Sequence, residues 1–291
     1  YFIVLLLLLS VEFYGVTASG SKRWINLFFI NLQPSELMKI ALIIFLARYY
    51  YKIPSDQVTN IKYIITPIIA LFVPVLLVVS QPDLGTSVLI LAGGVGVIWL
   101  TGFRVRYFLY SSLVFICLIP VGISFLKPYQ KARILTFLNP ERDPLGAGYQ
   151  IIQSKIAVGS GGIFGKGFLQ GSQSYLDYLP EKHTDFIFTL FAEEFGFVGS
   201  VLLLLIYVII IFRIVSIGNE CKNNFAKLYC FGFATAFFVY VVVNMMMVLG
   251  LLPIVGAPLP IMSYGGSSML SIMIGLAIVM SCKIHQWETI N

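Results

Sequence analysis

Residues 228–282 read LYCFGFATAFFVYVVVNMMMVLGLLPIVGAPLPIMSYGGSSMLSIMIGLAIVMSC, and none of them is charged. A helix crossing a bilayer needs about 20 apolar residues, so this run holds two passes. A second run, from Tyr63 to Phe103, contains Asp83 as its sole charge. Soluble cores do not require unbroken stretches of this length. With 58% hydrophobic and 11% charged residues, the chain reads as an all-α polytopic membrane protein. Working outward from the two runs, apolar segments predict about eight spans near 1–16, 35–51, 63–80, 84–101, 107–126, 190–212, 228–249 and 264–282. The N-terminus, YFIVLLLLLSVEFYG, has no basic flank and no initiating Met. It reads as a span entered midway, so an N-terminally truncated chain is expected, not a signal peptide.

Lys and Arg in the short connections set the orientation. If the first run leaves the cytoplasm, the inner loops carry Arg48, Lys52, Lys62, Arg104, Arg106, Arg213, Lys222, Lys227 and Lys283. The short outer connections 81–84 and 250–263 carry neither Lys nor Arg, although the 17–34 loop keeps Lys22 and Arg23. Residues 127–185 then form one large extracytoplasmic loop within a single integral membrane domain, 1–291. That loop alternates amphipathic pieces (YQIIQSKIAVG) with glycine-dense turns (GSGGIFGKGFLQGSQ), the pattern of a functional loop and not of a low-complexity one. The net charge of +6 does not point to nucleic acid, because the basic residues sit at span ends and form no cluster or motif. Cys117, Cys221, Cys230 and Cys282 show no C-x-x-C pairing and read as packing residues.

Charge at membrane depth is costly, so each such residue is a functional candidate. Glu36 and Lys39, in QPSELMKI, stand i,i+3 on one helical face and can pair, as a structural tie or as part of a site. Asp83, in SQPDLGTS, opens a span and is either an N-cap or within reach of an outer site. Asp185 begins an apolar helix beside His183, after Glu181 and Asp177. Neighbouring carboxylates and partial burial raise a carboxylate's pKa, as a general base near neutrality needs; the alternative is again an N-cap. Glu193 and Glu194 follow on the same helix, with Gly196 and Gly199 read as close-packing positions. GLLPIVGAPLPIMSYGGSS (250–268) puts prolines and glycines at apolar depth, where irregular backbone is tolerated only in protein or lining a cavity. No metal motif, P-loop or G-x-S-x-G is present in the sequence. An acidic cluster could hold a divalent cation such as Mg or Mn through oxygen ligands, but no ligand set is spelled out.

KRWINLFFINLQPSELMK, SQPDLGTS, NPERDPLGAGYQIIQSKIAVGSGGIFGKG, LPEKHTDFIFTLFAEEFG and PIVGAPLPIMSYGGSS occur in this order and cover essentially the whole chain. Together they resemble the SEDS family (shape, elongation, division and sporulation), its elongation members more than its division members. The resemblance implies a bundle of ten transmembrane helices, about eight of them in this chain. It implies a peptidoglycan glycosyltransferase in the bacterial cytoplasmic membrane. Such enzymes polymerise lipid II, an undecaprenyl-pyrophosphate-linked disaccharide–pentapeptide, beside a class B penicillin-binding protein acting as transpeptidase. The family's essential loop aspartate falls on Asp185, its ion pair on Glu36 and Lys39, and its upstream acidic position on Asp177.

On this reading Asp185 is the base that deprotonates the acceptor 4-hydroxyl, and Arg23, Lys39, Arg133 and Lys155 are candidates for the departing pyrophosphate. Glu36, Asp83, Asp177, Glu181 and His183 complete the candidate substrate contacts, and GAPLPIMSYGGSS is the expected groove for the prenyl chains. A rival reading is a lipid II flippase without glycosyl transfer. Flipping needs intramembrane charges along a path between leaflets. Here they cluster on the outer side and the last two spans have none, which favours the enzyme. Topology is testable directly. Cysteines introduced at Ser172 or Gln173 are expected to react with a membrane-impermeant thiol reagent in intact cells, and one at Asn223 is not; the reverse pattern would overturn the orientation.

Overall fold

A computed structural model describes residues 1–18, 21–26, 31–54, 57–58, 60–103, 105–107, 109–110, 113, 117, 128–143, 146–171 and 183–288. The expected span at 107–126 lies mostly outside these residues, and Asp177 and Glu181 lie outside them entirely. The described chain runs α1 (Phe2–Tyr14), β1 (Val16–Ala18), β2 (Ser21–Asn26), β3 (Asn31–Leu32), α2 (Pro34–Tyr50), α3 (Ile61–Ser80) and α4 (Leu84–Leu100). It continues with α5 (Pro128–Leu138), a 3-10 turn (Pro140–Arg142), α6 (Ala147–Ser160), α7 (Ile187–Glu220), α8 (Asn224–Val248) and α9 (Gly266–Ile284). The helical class read from the sequence holds. Among the described residues α3, α7, α8 and α9 are long and apolar enough to cross a membrane, and α1 and α4 are shorter apolar helices. The protein is a multi-pass membrane protein. What the hydropathy does not announce is the small antiparallel sheet β1-β2-β3 within the 17–34 connection.

The fold divides into two compact units, one of residues 1–103, 208–241 and 264–291, the other of 104–207 and 242–263. In the first unit α2 packs against α1, α3, α4 and α9. Met38, Leu42, Ile43, Leu46 and Ala47 are buried along it. Pro at its first turn suits a helix start, because that N–H has no intrahelical partner. A helix walled by protein can carry polar side chains that a lipid-facing one cannot, and α2 is where Glu36 and Lys39 lie. By contrast α7 exposes Leu202, Leu205, Val208, Ile209 and Phe212, the apolar surface a bilayer solvates.

The second unit turns on a break in α7. Gly196 leaves the helix, at φ 65° and ψ −161°, a region that only glycine occupies readily. An unbroken helix would bond the amides of Phe197 and Val198 to the carbonyls of Glu193 and Glu194. Instead the glycine-dense loop after α6 supplies all four partners. Lys166 N donates to Glu193 O at 3.0 Å and Gly167 N to Glu194 O at 3.0 Å. Phe197 N donates to Gly162 O at 2.9 Å and Val198 N to Ile163 O at 3.0 Å. The Lys166 Nζ–Glu193 Oε1 ion pair, 2.6 Å long with the Glu193 side chain fully buried, fastens the same junction. Gly196 is therefore a break in the helix at which the chain packs close against the loop of Ile163 and Gly165, where the sequence suggests close packing within an unbroken helix.

Alanine at 196 would set its Cβ against the Gly165 amide nitrogen. Gly196→Ala is expected to cost at least the roughly 1–3 kcal/mol of a disallowed backbone conformation. A clear fall in the thermal unfolding midpoint of purified protein in detergent checks this; an unchanged midpoint would show that the junction does not depend on Gly196.

Candidate active site

In the first unit, residues distant in sequence meet at the start of α4. Asp83 caps that helix: its Oδ1 accepts from Thr86 N at 3.1 Å and its Oδ2 from Thr86 Oγ1 at 2.9 Å. Gln33 Nε2 donates to the same Oδ2 at 3.1 Å, and Arg23 Nη1 lies 3.7 Å from it. Arg23 also donates to the Pro82 carbonyl at 2.5 Å. The Gln33 amide donates to Ser267 Oγ at 3.0 Å, and that hydroxyl donates to Asn31 O at 2.8 Å, tying the start of α9 to β3 and α2. Asp83 is thus an N-cap and an arginine partner at once.

In the first two turns of α2, Lys39 Nζ meets Glu36 Oε1 at 2.7 Å, and both side chains are almost fully buried. Tyr240 completes the group: its hydroxyl donates to both Glu36 oxygens, at 3.2 and 3.1 Å, and Lys39 Nζ stands 4.0 Å above its ring centroid. Tyr240 has no sequence signal beyond its place in an apolar helix, since tyrosines there are usually packing.

In the second unit Asp185, Arg133 and Lys155 each meet the irregular stretch 250–263. Asp185 is partly exposed in the turn before α7, and His183 beside it is exposed. A Cβ at Gly256 would stand 3.5 Å from Asp185 Oδ2, so the carboxylate lies along a glycine face. Gly256 itself has φ +72°. Arg133, on α5, donates to the Ile254 carbonyl at 3.2 Å. Lys155, on α6, lies so close over Gly250 that any Cβ there would collide with its Cε. The register of α6 is set one residue earlier. Ser154 Oγ donates to Val248 O at 2.6 Å and shares a 3.0 Å hydrogen bond with Thr189 Oγ1, both residues fully buried.

Ser154, Thr189 and Ser263 lie within the motifs quoted above without being picked out as site residues, and Asn244 lies outside those motifs. The available signal is polarity, most plainly for Asn244, the lone amide in VYVVVNMMMV. Among the described residues no group of three or more His, Cys, Asp or Glu is clustered to hold a metal ion, and Asp177 and Glu181 fall outside those residues.

A family model described as cell cycle protein, FtsW/RodA/SpoVE, matches residues 1–288. The chain is 44% identical over 290 residues to peptidoglycan glycosyltransferase MrdB of Escherichia coli (strain K12), covering 98% of this chain and 77% of that protein. A chain solved in a study of polymerization and crosslinking by a peptidoglycan synthase complex aligns at TM-score 0.83 and 34% identity, over 98% of this chain and 80% of that one. The rod shape determining protein RodA of Thermus thermophilus aligns at TM-score 0.71 and 27% identity, over 99% and 77% respectively. These likenesses, with the polar sites set in a multi-pass bundle, define a membrane-embedded glycosyltransferase. The chain belongs to the FtsW/RodA/SpoVE family, as its SEDS-like motifs imply.

The buried pair makes its own prediction. Removing one partner of such a pair typically costs about 3–5 kcal/mol, whereas replacing both charges can be nearly neutral. Glu36→Gln and Lys39→Met are each expected to lower the unfolding midpoint sharply, and the double variant to lose less than either. A double-mutant cycle read by thermal unfolding checks this; additive losses would mean the two charges act separately.

Proposed function

We propose that this protein polymerises lipid II into glycan strands at the outer face of the bacterial cytoplasmic membrane during cell elongation, with a class B penicillin-binding protein as its transpeptidase partner. Residues 1–291 act in this reading as one integral membrane domain, with 127–185 as its outer loop. The observation that carries it is the convergence of a carboxylate and two cations on one irregular backbone stretch. Asp185 reaches it at Gly256, Arg133 at Ile254 and Lys155 at Gly250.

Glycan extension joins the acceptor 4-hydroxyl oxygen to the donor anomeric carbon. The Asp185 carboxylate takes the hydroxyl proton as the bond forms, which needs a base within hydrogen-bond reach of that oxygen. The bond from the anomeric carbon to pyrophosphate breaks, and its electron pair leaves with the lipid pyrophosphate. Arg133 and Lys155 meet that growing charge; Arg supplies a planar fork suited to phosphate oxygens and Lys a compact charge. Arg23 and Asp83 are further candidate substrate contacts in this reading, as are Asp177, Glu181 and His183. Glu36 and Lys39 form an ion pair with each other, so in this reading their contribution to substrate binding runs through the shape of α2. The glycine- and proline-rich stretch receives the prenyl chains, which stay in the bilayer while the sugars react outside it.

Asp185→Asn tests the base. Asn is nearly isosteric, so folding and membrane insertion are expected to be kept. General-base assistance is typically worth about 100- to 10,000-fold, and polymerisation of labelled lipid II by the purified variant should fall by that order. A stable variant polymerising at near wild-type rate would leave Asp185 as a structural residue only.

A further inference from the structure

Asn244 sits in the last turns of α8, has no solvent exposure, and uses its side chain in an unusual way. Its Nδ2 donates to two backbone carbonyls, Asp185 O at 2.9 Å and Ala257 O at 2.6 Å. Both partners can only accept, so the orientation of the amide is fixed by chemistry. Its Oδ1, by contrast, is buried with no hydrogen-bond partner in the structure. A buried unsatisfied acceptor costs about 1–3 kcal/mol.

A second bond repeats the pattern one residue earlier. Ser263 Oγ donates to the Thr184 carbonyl at 2.6 Å while accepting from the Leu259 amide at 2.7 Å. Successive carbonyls, 184 and 185, are therefore held by two side chains from the 242–263 segment. One of those side chains also grips Ala257, the neighbour of the glycine that the Asp185 carboxylate faces.

We propose that Asn244 is a positioning residue for glycosyl transfer: its amide, with Ser263 as second point, braces the Asp185 turn against the 250–263 stretch and so sets where the carboxylate stands. The proposal rests on Asp185 being the base. A brace of this kind leaves substrate affinity alone and acts on the approach of base to hydroxyl, where a 1 Å misplacement can cost about 100-fold. Asn244 is irreplaceable by Asp, which would turn an acceptor toward two carbonyls, while Ser263 is replaceable by Thr, which keeps the hydroxyl.

The experiment measures kcat and KM for polymerisation of dansyl-labelled lipid II by the full chain in proteoliposomes, normalised to folded protein. The variants are Asn244→Ala, Asn244→Asp, Ser263→Ala, Ser263→Thr and Asp185→Asn. The expected result is a fall in kcat of roughly 10- to 100-fold for both Asn244 variants and a smaller fall for Ser263→Ala, with KM within about twofold and recovery in Ser263→Thr. Ser263→Ala removes one hydroxyl and leaves no large cavity, so it reports on the brace even if the Asn244 variants fail to fold. Folded Asn244 or Ser263→Ala variants with kcat near wild type, or with the loss appearing in KM, overturn the proposal. Asp185→Asn separates the two readings. If it polymerises normally the base assignment falls whatever Asn244 does, whereas an inactive Asp185→Asn beside fully active brace variants removes the brace alone.

Discussion

A peptide group at membrane depth has no water to turn to, and leaving one unpaired costs several kcal/mol. Helices meet that demand by themselves, so the decisive places are those where the helices stop. At Gly196 the two bonds an intact helix would have made are exchanged for four to the glycine-dense loop, and α7 changes direction without losing a partner. At 250–263 the solution differs, because side chains do the pairing. Arg133 takes the Ile254 carbonyl, Asn244 that of Ala257, and Tyr207 that of Pro260 at 2.6 Å, while Ser263 accepts from Leu259 N. Satisfying the backbone here also brings a cation, an amide and a hydroxyl to one short stretch beside Asp185. The polar lining follows from the irregular chain that it supports.

The same demand explains which parts of this molecule were legible in the sequence. Spans show themselves because an apolar run free of charge has few other uses, and the helices at 224–248 and 266–284 fall where the 228–282 run puts them. The i,i+3 spacing of Glu36 and Lys39 announces a pair, and a pair is found. The reading of Asp83 leaves cap and site open; its bond from Thr86 N shows the cap, and Gln33 and Arg23 also meet its carboxylate. Gly196 was not legible, since a glycine in a membrane helix means close packing far more often than a break. Nor could spacing reveal that Gln33 would meet Ser267, because a contact across that much chain depends on how the helices assemble. Asn244 gave a hint in its polarity but none of its partners. The short sheet of 16–32 lacks the length and alternation that make strands visible.

Two kinds of helix surface result. The outward faces of α7 are apolar because lipid is their solvent. Around α2 protein replaces lipid, and Glu36, Lys39 and Tyr240 can form a closed polar group without exposure to hydrocarbon. Helix association in lipid has no hydrophobic drive, so packing and the polar group hold α2 inward, and its sequence is less uniformly apolar than those of α3, α7, α8 and α9.

That has a consequence for how the protein is made. A charge at the centre of a helix costs about 2.5–3.5 kcal/mol on insertion scales, less toward the ends, and α2 bears Glu36, Lys39 and Arg48 within 17 residues. Such a segment gains little by partitioning from the translocon into lipid on its own. What holds it in the bilayer is the protein around it, α1, α3, α4 and α9, more than its own partition into lipid.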